Sequence, residues 1–291
     1  MSDVDLDPVY RHQFDGVTSR FVPTIGRDAF RDEFGPEILS DPDKIVVDPA
    51  RIKDRVSIIT GASSGVGKAT ALLLSELGSR VAVNGRDVAR TNQVVDEIIA
   101  AGGDAIAVIG DLRDPEAAAK AVRETTERFG RIDIGVLNAA VLDESNPIEM
   151  TPEQWYAVHG NADLTFFPAQ AIARQMLTQN NSEDLNMVYV SSISMVGNQD
   201  QPNYSFVKAG GEAMIKSFAR SGSTKAIHFG IFRPGPIRTE MVDALDTKGQ
   251  RAVELMGRRS PMGRLITPPE AARGIAYLAT QKESGHILTL T

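Results

Sequence analysis

The stretch TGASSGVGKATA, residues 60–71, follows the short β-branched run RVSIIT (55–60) and opens a segment with helical apolar spacing. Its glycines Gly61, Gly65 and Gly67 have the spacing G-x-x-x-G-x-G. Glycine permits a tight turn and a close approach of the backbone to a pyrophosphate. A helix beginning near Gly65 would direct free N–H groups and the positive end of its dipole at that anion. The stretch therefore predicts a dinucleotide site at a strand-to-helix turn.

Apolar strand patterns alternate with helical patterns along the rest of the chain. Such alternation predicts an α/β fold with a parallel sheet and helices on both faces. The strands are apolar throughout, which fits burial on both faces. Further strands are predicted at 80–85, 104–112, 131–140, 185–192 and 226–235, with helices at 68–78, 90–103, 115–129 and 153–178.

Composition narrows the function classes. The 291 residues carry a formal charge of −7 and include no cysteine. Disulfides, thiolate catalysis and cysteine-ligated zinc are thereby excluded, and a nucleic-acid or anionic-membrane partner is disfavoured. The four histidines lack metal-ligand spacing, so no metal site is predicted. The acidic N-terminus MSDVDLDPVY has no apolar signal region, and a cytoplasmic location is expected.

The composition changes near residue 50, so residues 1–50 are assigned to an N-terminal extension and 51–291 to the main α/β domain. The segment DPDKIVVDPA (41–50) is predicted to be an extended linker, because each proline biases its neighbour away from helix. The rest of the extension is either a flexible tail or an arm that packs on the body or on a neighbouring subunit. The second alternative rests on its aromatic residues Phe14, Phe21, Phe30 and Phe34.

Five ordered motifs resemble those of the short-chain dehydrogenases/reductases. They are TGASSGVG (60–67), NAAV (138–141), a serine pair ending a strand, YSFVK (204–208) and RPGPIRTEM (233–241). The resemblance covers residues 51–291. It implies a single-domain Rossmann fold with a doubly wound parallel sheet, a nicotinamide cofactor, and interconversion of small-molecule alcohols and carbonyls. It also implies a homo-oligomer, either a tetramer or a dimer.

The end of the second strand, VAVNGRD (81–87), favours NADP(H) over NAD(H). NAD-binding Rossmann proteins place an acid there for the ribose 2′-hydroxyl. Here Gly85 takes that position and Arg86 follows, and an arginine can pair with a 2′-phosphate. Asp87 is the alternative, since its carboxylate would accept from the ribose if the register slips.

Tyr204 and Lys208 are the predicted acid/base pair. They are four residues apart and share one face of a helix. A free tyrosine has a pKa of about 10, and a neighbouring ammonium favours the phenolate. By resemblance, Lys208 also binds the nicotinamide ribose.

The resemblance implies two more catalytic residues, a serine and an asparagine. Counting along the strand VYVSSIS (188–194) selects Ser192, whereas counting back from Tyr204 selects Ser191. Strand ends are more constrained than loop lengths, so Ser192 is chosen, and the other serine is expected only to terminate the strand. The asparagine is Asn161, on the helix after the fourth strand, where it would hold a water that links the lysine to solvent.

The turn RPGPIRTEM would meet the nicotinamide carboxamide, and residues 240–266 after it resemble the family's substrate lid. Asp111 and Leu112 match the residues that contact adenine. The full predicted cofactor set is Gly61, Ser63, Ser64, Gly65, Val66, Gly67, Arg86, Asp111, Leu112, Asn138, Ala139, Tyr204, Lys208, Pro234, Gly235, Ile237 and Thr239.

Three functions are compatible with these patterns. The first is a NADP(H)-dependent ketone reductase or secondary-alcohol dehydrogenase that uses Tyr204 as acid/base. The second is a 3-oxoacyl-[acyl-carrier-protein] reductase, which the neutral-to-acidic segment TQNNSEDLNM (178–187) disfavours, since an acidic carrier needs a basic surface. The third is a non-catalytic nucleotide-binding sensor or scaffold. Retention of Tyr204, Lys208 and the serine pair argues against it.

Overall fold

A computed structural model of the chain describes residues 38–143, 145–179, 184–243 and 247–291. Within these ranges the chain forms one parallel sheet in the order β1-β8-β7-β6-β5-β2-β3-β4. The strands are β1 (Ile38–Leu39), β2 (Val56–Ile59), β3 (Arg80–Gly85), β4 (Ala105–Ile109), β5 (Ile134–Leu137), β6 (Leu185–Val190), β7 (Ile227–Pro234) and β8 (His286–Leu290).

The strand order reverses between β2 and β5, which are hydrogen-bonded neighbours in register Ser57–Ile134 to Ile59–Val136. From β2 the chain proceeds outward to β3 and β4, and from β5 it proceeds the other way to β6, β7 and β8. In open α/β sheets a ligand binds at the carboxyl ends of the strands beside such a reversal. The doubly wound parallel sheet predicted from the sequence is thus confirmed.

Several helices are capped by polar side chains at their first turns. Asp114, Thr151 and Thr267 each cap a helix whose first residue is proline, and the two threonines form complete capping boxes. The helices are α1 (Gly65–Glu76), α2 (Val88–Ala100), α3 (Pro115–Phe129), α4 (Pro152–Thr178), α5 (Pro202–Arg220), α6 (Glu240–Asp243), α7 (Thr247–Arg259) and α8 (Pro268–Leu278).

Two apolar clusters form the core, one on each face of the sheet. Neighbouring residues of β2 illustrate the division: Ile59 packs in the cluster that includes α1, α2 and α8, and Ile58 packs in the one that includes α3, α4 and α5. Both side chains are buried. Burial of both strand faces explains why these strands lack the polar alternation of a half-exposed sheet.

The segment before the Rossmann domain differs from its prediction. Residues 41–50 are not simply extended, because two 3₁₀ turns form at Pro42–Lys44 and Pro49–Arg51, with Asp41 and Asp48 as their N-caps. The physical reason is local. Proline fixes φ at the first position of a turn, and the preceding aspartate accepts from the backbone N–H two residues on.

Residues 38–44, assigned to the extension by composition, pack on the domain. β1 pairs with β8, and Arg273 of α8 donates to the Asp43 carboxylate at 3.0 Å. The four phenylalanines of the predicted aromatic arm lie outside the described residues.

Candidate active site

The glycine-rich turn follows β2, with α1 beginning at Gly65. Gly61 and Gly65 have φ values of +62° and +55°, a region in which other residues are strained. A Cβ on Gly61 would lie 2.8 Å from the Ala139 Cα atom. Ser64 caps α1 by position, yet its hydroxyl makes no capping bond within the described part of the chain. The first turn of α1 is the position at which the sequence analysis predicts the anion.

Asn138 fastens this turn to the end of β5. Its side-chain amide donates to the carbonyl oxygens of Thr60 at 2.9 Å and Gly61 at 3.0 Å. The Thr60 hydroxyl accepts the backbone N–H groups of Asn138 at 2.9 Å and Ala139 at 3.0 Å. These four hydrogen bonds help to hold together the two strand ends at the reversal of strand order.

Asn84 supports the same turn from β3. It is buried, donates to the carbonyl oxygens of Val108 at 3.0 Å and Gly110 at 3.3 Å, and accepts the Gly61 N–H at 3.3 Å. Thr60 and Asn84 were both missed by the sequence analysis. Each is a polar residue at the end of an otherwise apolar strand, which was the available signal.

Beyond β3 the chain presents Arg86, whose side chain is 64% exposed and whose Nη1 lies 3.7 Å from Asp111 Oδ2. Arg113, a third residue missed from the sequence, pairs with the same carboxylate. The hydrogen bond and charge of Arg113, with a weaker contribution from Arg86, hold the pKa of Asp111 below its usual range despite an opposing effect of burial. Leu112 beside it is buried.

Asp87, the alternative ribose partner, is the N-cap of α2. Its carboxylate accepts the Arg90 backbone N–H at 3.0 Å. A side chain that caps a helix points toward the backbone N–H groups of the first turn. This placement gives Asp87 a local function that does not involve a nucleotide.

Lys208 is buried on α5, one turn after the half-buried Tyr204. Its Nζ donates to the Val190 carbonyl at 2.7 Å and lies 5.4 Å from the centre of the Tyr204 ring. Burial lowers the pKa of Lys208 to about 8, although the charge of Glu212 raises it. This arrangement is consistent with the prediction that the two side chains share one face of a helix.

A second tyrosine lies near the same ammonium. Tyr189 is 3% exposed, and its ring centre is 5.2 Å from Lys208 Nζ. Burial raises the pKa of Tyr189, which keeps its phenol protonated. Of the two tyrosines, the half-buried Tyr204 is therefore the better acid/base candidate.

The two serines after β6 have different surroundings. Ser191 is buried and donates to Glu212 Oε1 at 2.8 Å. Ser192 is half-buried and accepts the Ser194 backbone N–H at 3.1 Å, as the N-cap of a 3₁₀ turn. Ser191 thus does more than terminate the strand, contrary to the expectation for the serine not chosen.

Asn161 is buried within α4 and forms a closed pair of hydrogen bonds with Val141. It accepts the Val141 N–H and donates to the Val141 carbonyl, both at 2.7 Å. These bonds fix the segment that follows Asn138. Each of the two polar atoms of the side chain thus has one partner in Val141.

The predicted nicotinamide turn begins where β7 ends. Gly235 donates its N–H to the Leu290 carbonyl at 2.7 Å, and a Cβ there would lie 2.9 Å from Thr291 Cβ. Ile237 bridges to Ile266, and the Thr239 methyl lies 3.7 Å from the Cβ position of Gly65. Pro234, Gly235, Ile237 and Thr239 therefore lead from the sheet to the glycine-rich turn.

The described residues contain neither a candidate metal site nor a candidate membrane-spanning helix. Among the described residues, no group of histidines and carboxylates could hold a metal ion. A search of the same residues finds no helix of sufficient length and hydrophobicity to cross a membrane.

Comparisons with known proteins find similar sequences among reductases and dehydrogenases. A family model described as "Enoyl-(Acyl carrier protein) reductase" matches residues 61–288. A "3-oxoacyl-[acyl-carrier-protein] reductase" from Synechocystis is 34% identical over 80% of this chain and 92% of that protein. An "L-rhamnose 1-dehydrogenase (NAD(P)(+))" from Sphingomonas is also 34% identical, over 79% of this chain and 90% of its own.

A solved structure gives the same result for the fold. The short-chain type dehydrogenase/reductase from Mycobacterium marinum superposes with a TM-score of 0.75 and 28% identity. The superposition covers 82% of this chain and 94% of that one.

Proposed function

The chain belongs to the short-chain dehydrogenase/reductase family, and on that premise we propose that it is an NADP(H)-dependent oxidoreductase that interconverts a ketone and a secondary alcohol. The observation that carries the proposal is the buried Lys208 ammonium one helical turn after the half-buried Tyr204 phenol. A fold of this kind hosts many functions. The proposal therefore rests on the site rather than on the sheet.

The glycine-rich turn fits a dinucleotide. Side chains at Gly61 and Gly65 would be strained, and Gly65 begins a helix whose first turn lacks a side-chain cap in the described chain. Asn138 and Thr60 keep the turn in place from behind. When bound, the nicotinamide supplies or accepts the hydride.

Tyr204 is proposed to donate a proton to the carbonyl oxygen during reduction and to recover it during oxidation. Lys208 favours the phenolate form through its positive charge. With a pKa of about 8, it is mostly protonated at pH 7. Ser192 is proposed to donate a hydrogen bond to the same substrate oxygen, where charge develops.

Arg86 supports the choice of NADP(H). It follows directly after β3, is largely exposed and is held only loosely, at 3.7 Å, by Asp111. An arginine can pair in a bidentate manner with a phosphate, and such charge-assisted bonds are strong. The neighbouring Asp87 is already engaged as a helix cap.

The relatives do not indicate a single substrate, because two proteins with the same sequence identity to this chain are named for different substrates. The Synechocystis and Sphingomonas relatives are both 34% identical to this chain, yet one name specifies an acyl-carrier-protein substrate and the other a sugar. The first name favours 3-oxoacyl-[acyl-carrier-protein] reduction as a second candidate function. The neutral-to-acidic segment 178–187 disfavours docking of an acidic carrier.

The test follows the absorbance loss of NADPH and, separately, of NADH with ketones, β-keto esters, quinones and a 3-oxoacyl thioester on carrier protein. We expect NADPH to be preferred by about tenfold or more. Turnover confined to the carrier-bound thioester would favour the second candidate. No turnover with any substrate, despite cofactor binding, would favour the nucleotide sensor.

A single substitution separates catalysis from sensing. Tyr204→Phe should reduce turnover at least about a hundredfold while leaving NADPH binding intact. The matched control is Tyr156→Phe, since Tyr156 is 68% exposed on α4. A Tyr204→Phe variant with unchanged turnover would exclude Tyr204 as the acid/base.

A further inference from the structure

A buried carboxylate lies at the centre of a hydrogen-bond network behind the proposed catalytic groups. Glu212 is 1% exposed on α5 and accepts hydrogen bonds at both oxygens. Oε1 accepts from Ser191 Oγ at 2.8 Å and Arg233 Nε at 2.7 Å. Oε2 accepts from Arg233 Nη2 at 2.6 Å and Lys216 Nζ at 3.4 Å. The carboxylate is therefore well satisfied in a position from which water is excluded.

Two of the three partners of Glu212 are next to residues of the proposed site. Ser191 precedes Ser192, and Arg233 precedes the turn that begins with Pro234 and Gly235. Glu212 itself follows Lys208 by one helical turn. One side chain thus connects the end of β6, the end of β7 and helix α5.

Two further bonds complete the connection. Lys208 Nζ donates to the carbonyl of Val190, the residue before Ser191, at 2.7 Å. Ser191 N donates to the Phe232 carbonyl, next to Arg233, at 2.7 Å. The position of the Lys208 ammonium is consequently coupled to the same two strand ends that Glu212 joins.

Glu212 remains ionised in this environment. Burial raises its pKa, but hydrogen bonds from Arg233 and Ser191 and the charges of Arg233 and Lys216 lower it by more, leaving it below its usual value. The charge in turn favours the protonated form of Lys208. Besides Glu212, the phenols of Tyr204 and Tyr189 face the Lys208 ammonium, and the charges of Arg233 and Lys216 face Glu212.

We propose that Glu212 is a positioning residue for hydride transfer: it holds Ser192 and the Pro234–Gly235 turn in fixed relation to Lys208 and places a negative charge one helical turn from that ammonium. This inference rests on the proposed function. In this proposal Glu212 touches neither the cofactor nor the substrate. It acts through Ser191, Arg233 and Lys208.

The first test is an NMR titration of the Lys208 side chain in Glu212→Gln, without substrate. Glutamine keeps one carbonyl acceptor but removes the charge. We expect the pKa of Lys208 to fall by roughly half a unit or more, because an opposite charge that favoured the ammonium is lost. An unchanged Lys208 titration would overturn the electrostatic part of the proposal. Because the titration needs no turnover, it remains decisive even if no substrate is found.

The second test is the pH profile of kcat for ketone reduction. In Glu212→Gln the alkaline limb should move to lower pH and kcat should fall about tenfold, with KM for NADPH changed less than about twofold. The matched control is Glu270→Gln, because Glu270 also pairs with an arginine, Arg264, through two hydrogen bonds at 2.9 Å and 2.6 Å. The control should lose stability without any shift of the limb.

A third variant tests the proposal even if Glu212→Gln does not fold. Glu212→Asp keeps the charge but shortens the side chain by one methylene, so the limb should stay in place while kcat falls. A kcat equal to that of the wild type in Glu212→Asp would overturn the positioning role. An alkaline limb that shifts equally in Glu270→Gln would likewise reject it.

Discussion

Asn138 and Thr60 are joined by two hydrogen bonds of equal length. The Asn138 backbone N–H donates to Thr60 Oγ1 at 2.9 Å, and its side-chain amide donates to the Thr60 carbonyl at 2.9 Å. The two residues follow β5 and β2, the strands at which the sheet reverses its order. The shape of the glycine-rich turn is therefore determined by a residue distant in sequence as well as by its own glycines.

Gly67 should not tolerate a side chain. A Cβ there would lie 2.6 Å from Asn138 Nδ2 and closer still to the Gly61 carbonyl oxygen, both of which are held by the turn. We expect Gly67→Ala to reduce the free energy of unfolding by about 2 kcal/mol, as overpacking does, and to weaken NADPH binding. Urea denaturation and calorimetry measure the two effects.

Gly210→Ala is the control for that substitution. A Cβ at this exposed position of α5 would meet nothing within 4 Å. Alanine in a helix is more stable than glycine by about 0.5–1 kcal/mol, so this variant should gain stability. Equal behaviour of the two variants would contradict the steric account of Gly67.

Arg86 should govern the cofactor preference. Removing a charge-assisted bond to phosphate costs about 1.5–3 kcal/mol, so Arg86→Ala should raise KM for NADPH by about 10- to 100-fold. KM for NADH should change little. Initial rates with each cofactor measure this. The control is Arg128→Ala, an exposed arginine that pairs with Asp104 at 2.6 Å.

Asp87→Ala tests the alternative register. Loss of the α2 N-cap should cost about 1 kcal/mol of stability and leave the ratio of NADPH to NADH activity unchanged. A selective loss of NADH activity in this variant, with a wild type that prefers NADH, would reverse the cofactor assignment.

The two neighbouring serines should give opposite results. Ser192→Ala removes a proposed donor to the substrate oxygen, so kcat should fall about a hundredfold or more with little change in thermal stability. Ser191→Ala leaves Glu212 with one donor fewer and should cost about 1–2 kcal/mol of stability, with kcat reduced by less than about tenfold. Steady-state kinetics and thermal melts distinguish them, and the reverse pattern would make Ser191 the catalytic serine.

Lys208 should make the free energy of unfolding depend on pH in the alkaline range. Its pKa is lowered from 10.5 to about 8 by burial, so between these values the unfolded chain binds a proton that the folded chain has released. The free energy of unfolding therefore rises with pH across this window, by about 3 kcal/mol relative to Lys208→Met. Urea denaturation of both proteins at pH 7 and pH 10.5 measures the difference. Parallel pH dependence in the two proteins would contradict the lowered pKa.

The strands and helices followed from periodicity because burial on both faces leaves a strong apolar pattern. Strand β3 spans residues 80–85 and helix α3 residues 115–129, the ranges predicted from the sequence. The 3₁₀ turns of 42–51 escaped prediction because they depend on single aspartate caps rather than on a repeat. Short β1 carries too few residues for any periodic signal.

The predicted site residues lie along the carboxyl ends of β2, β3, β4, β5, β6 and β7 and on the helices that follow. What the sequence left out are their supports. Glu212 bonds to Ser191, 21 residues earlier, and only the fold brings that pair together, whereas Arg113 lies two residues from Asp111 but outside every motif quoted. Their roles remain predictions until the variants are measured.

The pairing of β1 with β8 has a consequence for biosynthesis. Ile38 lies opposite Thr289, and Thr291 donates its N–H to the Leu39 carbonyl at 3.1 Å. During translation the N-terminal partner of this pair leaves the ribosome long before the C-terminal one exists. Contacts so distant in sequence are costly to close and form slowly. The outer edge of the sheet is therefore expected to assemble only after β8 has emerged from the ribosome.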